Sequence, residues 1–119
     1  SGEECILAFD ISSMNPKADH AFSMVQHLWP GMQSVRIMGS SALGLAYAAC
    51  GRVDIYFHHA LSSWDIASGL LLVREAGGEV VDRLTGRPAG VNAKGLLASS
   101  PGIISEFLRL TRGQEWYRP

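Results

Sequence analysis

The chain is poor in charge. Asp, Glu, Lys and Arg make up 18 % of its 119 residues, against roughly 25 % in a typical soluble domain, so part of its surface stays apolar and is open to being covered by something else. Neither sign is in excess: ten Lys and Arg stand against eleven Asp and Glu, a formal net charge of −1. That balance excludes the basic footprint with which proteins hold nucleic-acid phosphates. Long apolar runs are missing too. The longest, Ala42 to Cys50, is interrupted by Gly44 and falls far short of the roughly 20 residues a bilayer-spanning helix needs; a soluble protein with no membrane partner is expected. Cysteine is scarce. Cys5 and Cys50 lie far apart, without CxxC spacing or a neighbouring His, which rules out zinc-ribbon and thioredoxin-type readings. Both read as small core residues in a reducing compartment. No basic flank followed by an apolar stretch and a small-residue cleavage site opens the chain, so a cytoplasmic location is expected. The first residues are Ser1-Gly2, without Met, as at a cloning scar, a processed end or a cut inside a longer protein.

What is present suffices for one domain and one hydrophobic core. Cys5-Ile6-Leu7-Ala8-Phe9-Asp10-Ile11 is nearly continuous in apolar residues, as a strand buried on both faces would be. Ala18, Ala21, Phe22, Val25, Leu28 and Trp29 recur at helical spacing up to Pro30-Gly31. Val35 to Met38 suits a second strand closed by Gly39. Ser40 or Ser41 caps a helix rich in small residues that Gly51 terminates. Val53 to His58, β-branched and aromatic, reads as strand three. A helix runs from Asp65 to Ala76 and stops at Gly77-Gly78; Glu79–Asp82 and Gly95–Ser99 are strands four and five. Ser100 is expected to cap a last helix carrying Ile103, Ile104, Phe107, Leu108 and Leu110. Residues 113–119 read as a frayed tail. The expectation is a single α/β domain over residues 1–119, a five-stranded mixed, partly parallel sheet flanked by helices.

Chemistry concentrates at a few positions. Gly39-Ser40-Ser41-Ala42 joins a strand to a helix, so backbone N–H groups and the positive helix end face one spot, suited to an anion or a hydroxyl-rich ligand. An ordinary capped glycine turn accounts for the same residues. Asp65, opening the next helix, either caps it or offers an ionised oxygen to a hard cation; one carboxylate alone does not satisfy Mg²⁺, which takes six oxygens. His58 and His59 follow one another at a strand end, so their side chains are expected on opposite faces, unable to share one metal. Asp54 is placed either to orient a ligand hydroxyl or to pair with Arg52. Gly2-Glu3-Glu4 is a poor catalytic pair, because successive side chains diverge. His20 and His27, seven apart on a helix, are too distant to hold one ion and read as surface residues.

Trp64-Asp65-Ile66-Ala67-Ser68-Gly69 followed by Glu75-Ala76-Gly77-Gly78 closely resembles the carboxy-terminal signature of the inositol monophosphatase family. Val35 to Leu43, Ala49-Cys50-Gly51-Arg52-Val53-Asp54 and Gly95 to Ser99 fall in the family's order and spacing, so the resemblance covers about Val35 to Leu110. It implies the carboxy-terminal half of that two-domain fold. It also implies a Mg²⁺-dependent phosphomonoesterase in which Asp65 is one metal ligand, the Gly39 to Ala42 turn meets substrate hydroxyls, and Asp54 lies near the same pocket. The family's other ligands and water-activating residues belong to an amino-terminal half with Glu-Glu and Asp-Pro-x-Asp-Gly motifs; this chain has no Asp-Pro-x-Asp-Gly. The implied partners are that missing domain, a phosphorylated small molecule and a second copy in a homodimer. By itself the chain is expected to be inactive. Inositol-specific members carry Glu where this chain has His58, whose ring reverses the hydrogen-bonding logic. The substrate is thereby open to a sugar bisphosphate, histidinol phosphate or a phosphorylated nucleotide. A non-catalytic binding or dimerisation module on the same fold is the alternative.

Overall fold

The apolar run that opens the sequence becomes an inner strand. In the computed structural model, which describes residues 5–11, 17–59, 63–93, 95–100 and 102–117 and, of Lys17, Ser63 and Asp65, the backbone alone, Ile6–Asp10 forms β1. Strand β2 (Ser34–Ile37) pairs parallel to one side of it and β3 (Ile55–His58) parallel to the other. Flanked on both edges and covered on both faces, β1 has no solvent side to alternate with, hence its unbroken apolar sequence. Beyond β3 lie β5 (Leu96–Ser99) and then β4 (Glu79–Asp82), giving the order β2-β1-β3-β5-β4. Strand β5 runs antiparallel to both of its neighbours, so β4 points the same way as β1, β2 and β3. The mixed, partly parallel sheet expected from the sequence is what forms.

Helices cover both faces. On one side, α2 (Ser41–Ala49) and α3 (Ser63–Glu75) bury Leu45, Ala48, Ile66, Leu70 and Val73 against Ala8, Tyr56 and Ala98. Two glycines set how close they come. A Cβ on Gly44 would sit 2.2 Å from Tyr56 Cε1, and one on Gly69 would sit 2.1 Å from Leu45 Cδ1. On the other side, α1 (Lys17–Leu28) and α4 (Ile103–Leu110) bury Ala21, Met24, Ile104 and Phe107 against Leu7, Phe9, Ile55 and Phe57. Helix α1 passes into a 3₁₀ turn at Trp29–Gly31, where Pro30 cannot continue the α ladder. No described helix is long and apolar enough to cross a membrane.

Four local expectations are corrected. The tail does not fray as far as Tyr117: Glu115–Tyr117 forms a 3₁₀ turn and Trp116 is fully buried, edge-on to Phe57 at 5.1 Å. Buried Arg83 donates from Nη1 to the Trp116 carbonyl at 2.6 Å, with its guanidinium over the indole ring. Burial pushes the Arg83 guanidinium below its ordinary pKa, opposed by the neighbouring Asp82. Burial also pushes the Tyr117 phenol up to about 12, while its hydrogen bond to Thr111 Oγ1 pulls the other way. The last helix begins at Ile103 with left-handed Gly102 as its cap, because Ser100 sits too far back to reach it with its side chain. Helix α3 begins at Ser63, so residue 65 lies inside the first turn and is not the cap. Finally, Cys50 is exposed at the end of α2 and Cys5 is half-buried where β1 begins, so neither is a core residue. The Gly2-Glu3-Glu4 stretch lies outside the described residues.

Candidate functional site

Parallel pairing brings the carboxyl ends of three strands together. Phe9 stands opposite Ile37, and Asp10 opposite His58. The chain leaves β2 and β3 at this end and enters α2 and α3, so both helix N-termini are delivered there, at the position where open α/β sheets accept ligands. Four of the positions singled out from the sequence share this end: Gly39, Ser40, Ser41 and His58, together with the backbone of residue 65 in the first turn of α3.

The turn between β2 and α2 is held from two directions. Gly39 has φ +77°, a left-handed conformation that a side chain would strain. Its N–H donates to Asp10 Oδ1 at 2.6 Å, and the Tyr56 hydroxyl donates to Asp10 Oδ2 at 2.8 Å. Ser40 is the N-cap, its Oγ accepting from the Leu43 N–H at 3.2 Å. The sequence expectation that the whole Gly39 to Ala42 backbone faces a ligand is therefore narrowed. The Gly39 N–H is spent on Asp10, whereas the N–H groups of Ser41 and Ala42, in the first helical turn, have no acceptor inside the helix. An oxygen-rich ligand lying across this turn meets those two donors and the positive end of α2.

Asp10 and Tyr56 went unnoticed in the sequence. Their signal was available: a lone carboxylate closing an otherwise apolar strand, buried to 6 % exposure, needs hydrogen-bond donors to offset its desolvation. Both side chains lie on the α2–α3 face, since Tyr56 packs in that core and side chains two apart in a strand share a face. His58 follows Tyr56 by two and so shares that face. It is buried, as is His59, and the two rings lie 5.3 Å apart. The expected divergence is not seen, because β3 ends at His58 and the chain bends at His59.

Asp54 is elsewhere. It precedes β3 at the opposite end of the sheet, four positions and about 13 Å of strand from His58. There its Oδ2 accepts from the Ile6 N–H at 2.6 Å, and its own N–H donates to the Ile6 carbonyl at 2.9 Å. Arg52, the alternative partner, lies over the Tyr47 ring. Asp54 thus ties β3 to the start of β1. The direction in which a strand runs through its sheet, which decides the end at which a residue emerges, is invisible in a local sequence pattern.

Among the described residues no group of three or more His, Cys, Asp or Glu could hold a metal ion, and both oxygens of Asp10 already accept hydrogen bonds. The Asp65 side chain lies outside the description. Beside the site, Ala42, Trp64, Ser68, Gly69 and Leu72 line a shallow cleft of about 180 Å³, with Trp64 81 % exposed.

Comparison with known proteins agrees with this architecture. Residues 4–115 match the model of the inositol monophosphatase family. A Pasteurella multocida protein named Nus factor SuhB is 45 % identical over 73 % of this chain and 32 % of its own length. A Thermotoga maritima fructose-1,6-bisphosphatase/inositol-1-monophosphatase is 33 % identical over 91 % of this chain and 40 % of its own. Among solved structures, a Thermotoga maritima IMPase superposes with a TM-score of 0.80 at 33 % identity, covering 92 % of this chain and 41 % of that one. The chain therefore spans less than half the length of these relatives, and across almost all of what it does contain it belongs to the inositol monophosphatase family.

Proposed function

We propose that this chain is the substrate-binding half of a Mg²⁺-dependent phosphomonoesterase. The observation that carries the reading is the convergence of the Gly39–Ser41 turn, His58 and the first turn of α3 at one end of the sheet, in a chain of this family. Ser41 and Ala42 N–H groups, with the α2 dipole behind them, receive substrate oxygens; His58 faces the same space in place of a carboxylate. Asp65 supplies one ligand to Mg²⁺, and the remaining ligands and the water-activating groups come from a domain outside this chain. Leu43, Trp64, Leu71 and Leu72, exposed on α2 and α3, and the low charge content fit a surface built to be covered. The working protein is a cytoplasmic homodimer. Its substrate is an inositol phosphate, a sugar bisphosphate, histidinol phosphate or a phosphorylated nucleotide.

In the complete protein, Asp65→Asn should lower Mg²⁺-dependent phosphate release by at least about a hundredfold, as loss of a charged ligand does, and these 119 residues assayed alone should release none. Unchanged turnover in Asp65→Asn overturns the reading. It would favour a second one, a non-catalytic binding module on the same fold, which the Pasteurella relative's name as a Nus factor supports.

A further inference from the structure

Asp10 is a charged group that the strand does not need. Its neighbours Leu7, Ala8 and Phe9 are buried and apolar, and an apolar residue at position 10 would satisfy the sheet without removing a carboxylate from water. What the carboxylate does is join three chain segments: β1, which carries it; the β2–α2 turn, through the Gly39 N–H at 2.6 Å; and β3, through the Tyr56 hydroxyl at 2.8 Å. Tyr56 is in turn fixed by α2, whose Gly44 lies against its ring. A closed circuit results, from Asp10 to Gly39, along the turn to Gly44, across to Tyr56 and back to Asp10. Ser40 caps the helix within that circuit, so Ser41 and Ala42 are anchored on both sides. Two charge-assisted hydrogen bonds, each stronger than a neutral one, set the direction in which their N–H groups point.

Resting on the reading that this turn receives substrate, we propose that Asp10 is a positioning residue: acting through Gly39 and seconded by Tyr56, it orients the Ser41 and Ala42 donors and thereby sets substrate affinity. It touches neither substrate nor metal. Its loss should therefore appear in KM and leave the chemical step in place, as uniform binding losses do.

The test uses the complete protein with the four phosphomonoesters named above, measured on whichever it hydrolyses. Asp10→Ala should raise KM about tenfold or more, with kcat within about threefold of wild type. Tyr56→Phe, which removes one donor and leaves the carboxylate, should raise KM about threefold. Asp10→Asn should keep KM and kcat within about 1.5-fold of wild type, because its amide oxygen still accepts from Gly39 while its NH₂ donates to the Tyr56 oxygen. An unchanged KM in Asp10→Ala overturns the proposal. So does a parallel loss of kcat that Asp10→Asn does not rescue, since that is the mark of a merely structural carboxylate. Should Asp10→Ala fail to fold, the Tyr56→Phe and Asp10→Asn pair decides: a KM rise in the first and near-normal KM in the second supports the role, and any other pattern removes it. A wild-type protein inert toward all four substrates sinks the phosphatase reading together with this inference, whereas an active one with an indifferent Asp10→Ala sinks this inference alone.

Discussion

Toward α1 and α4 the sheet is packed with rings. Phe9 stacks on Phe57 at 5.4 Å, Phe107 tilts against Phe57, and Trp116 meets the same ring edge-on. Toward α2 and α3 it is packed through Ala8, Ala48, Ala98 and the close approach of Gly44 and Gly69, with Tyr56 as its fully buried ring and the half-buried Tyr47 at its margin. The first face gains its stability from large apolar area, whereas Asp10 and Tyr56, which hold the β2–α2 turn, lie on the second. The second gives up side-chain volume so that α2 lies near enough for Tyr56 to be wedged beneath it and to hold Asp10. One sheet thus divides its work, with bulk on one side and position on the other.

That division can be broken by substitution. The largest effect on stability should come from Trp116→Ala on the ring-packed face. Removing a fully buried indole costs about 3–5 kcal/mol, read as a lowered denaturation midpoint, and KM should not move because the site lies on the other face. Gly44→Ala comes next. Its Cβ would strike, at 2.2 Å, the Tyr56 ring, which is fully buried and tied to Asp10, so it should cost about 1–3 kcal/mol and also raise KM by dislodging the Tyr56 hydroxyl from Asp10. Gly69→Ala meets Leu45, its Cδ1 at 2.1 Å and its Cγ and Cβ at 3.1 and 3.3 Å; a terminal methyl yields more easily than a ring, so it should cost about 1 kcal/mol, less than Gly44→Ala. If Gly69→Ala proves worse than Gly44→Ala, or if Trp116→Ala damages KM more than Gly44→Ala does, the proposed division is wrong.

The smallest effect is alkaline and sharpens the ring-packed side. Folding raises the Tyr117 phenol from its usual 10.0 to about 12 through burial, so the folded state retains a proton that the unfolded chain gives up earlier. The resulting stabilisation is complete below about pH 10 and is lost as pH climbs through the folded value. Tyr117→Phe should flatten the fall of melting temperature between those limits. An identical slope in the variant removes Tyr117 as its source.

The elements themselves were readable from the sequence. Apolar spacing marks α1 and α4, glycines mark the ends of α2 and α3, and the unbroken run from Cys5 announces an inner strand. The tail escaped because three residues after Gly113 hold no periodicity, and Trp116 shows its importance only when Phe57 and Arg83 arrive beside it from distant parts of the chain. Ser40 could be identified as a cap, since a cap is a local device. Asp54 was set in the wrong place and Asp10 missed for one shared reason. Each carboxylate serves a backbone N–H from a distant segment, Ile6 of β1 for Asp54 and the β2–α2 turn for Asp10, and strand order and direction are settled by the whole sheet.

The reach of Asp10 has a consequence for assembly. Its two donors lie 29 and 46 positions further along the polypeptide, so a nascent chain leaving the ribosome completes the first strand well before either is available. Until then the carboxylate keeps its hydration, and the strand that bears it is held back from the dry interior. The hydrogen bonds that fix the ligand end are therefore incomplete until Tyr56 has been made, and a half-made product has no finished ligand end to expose.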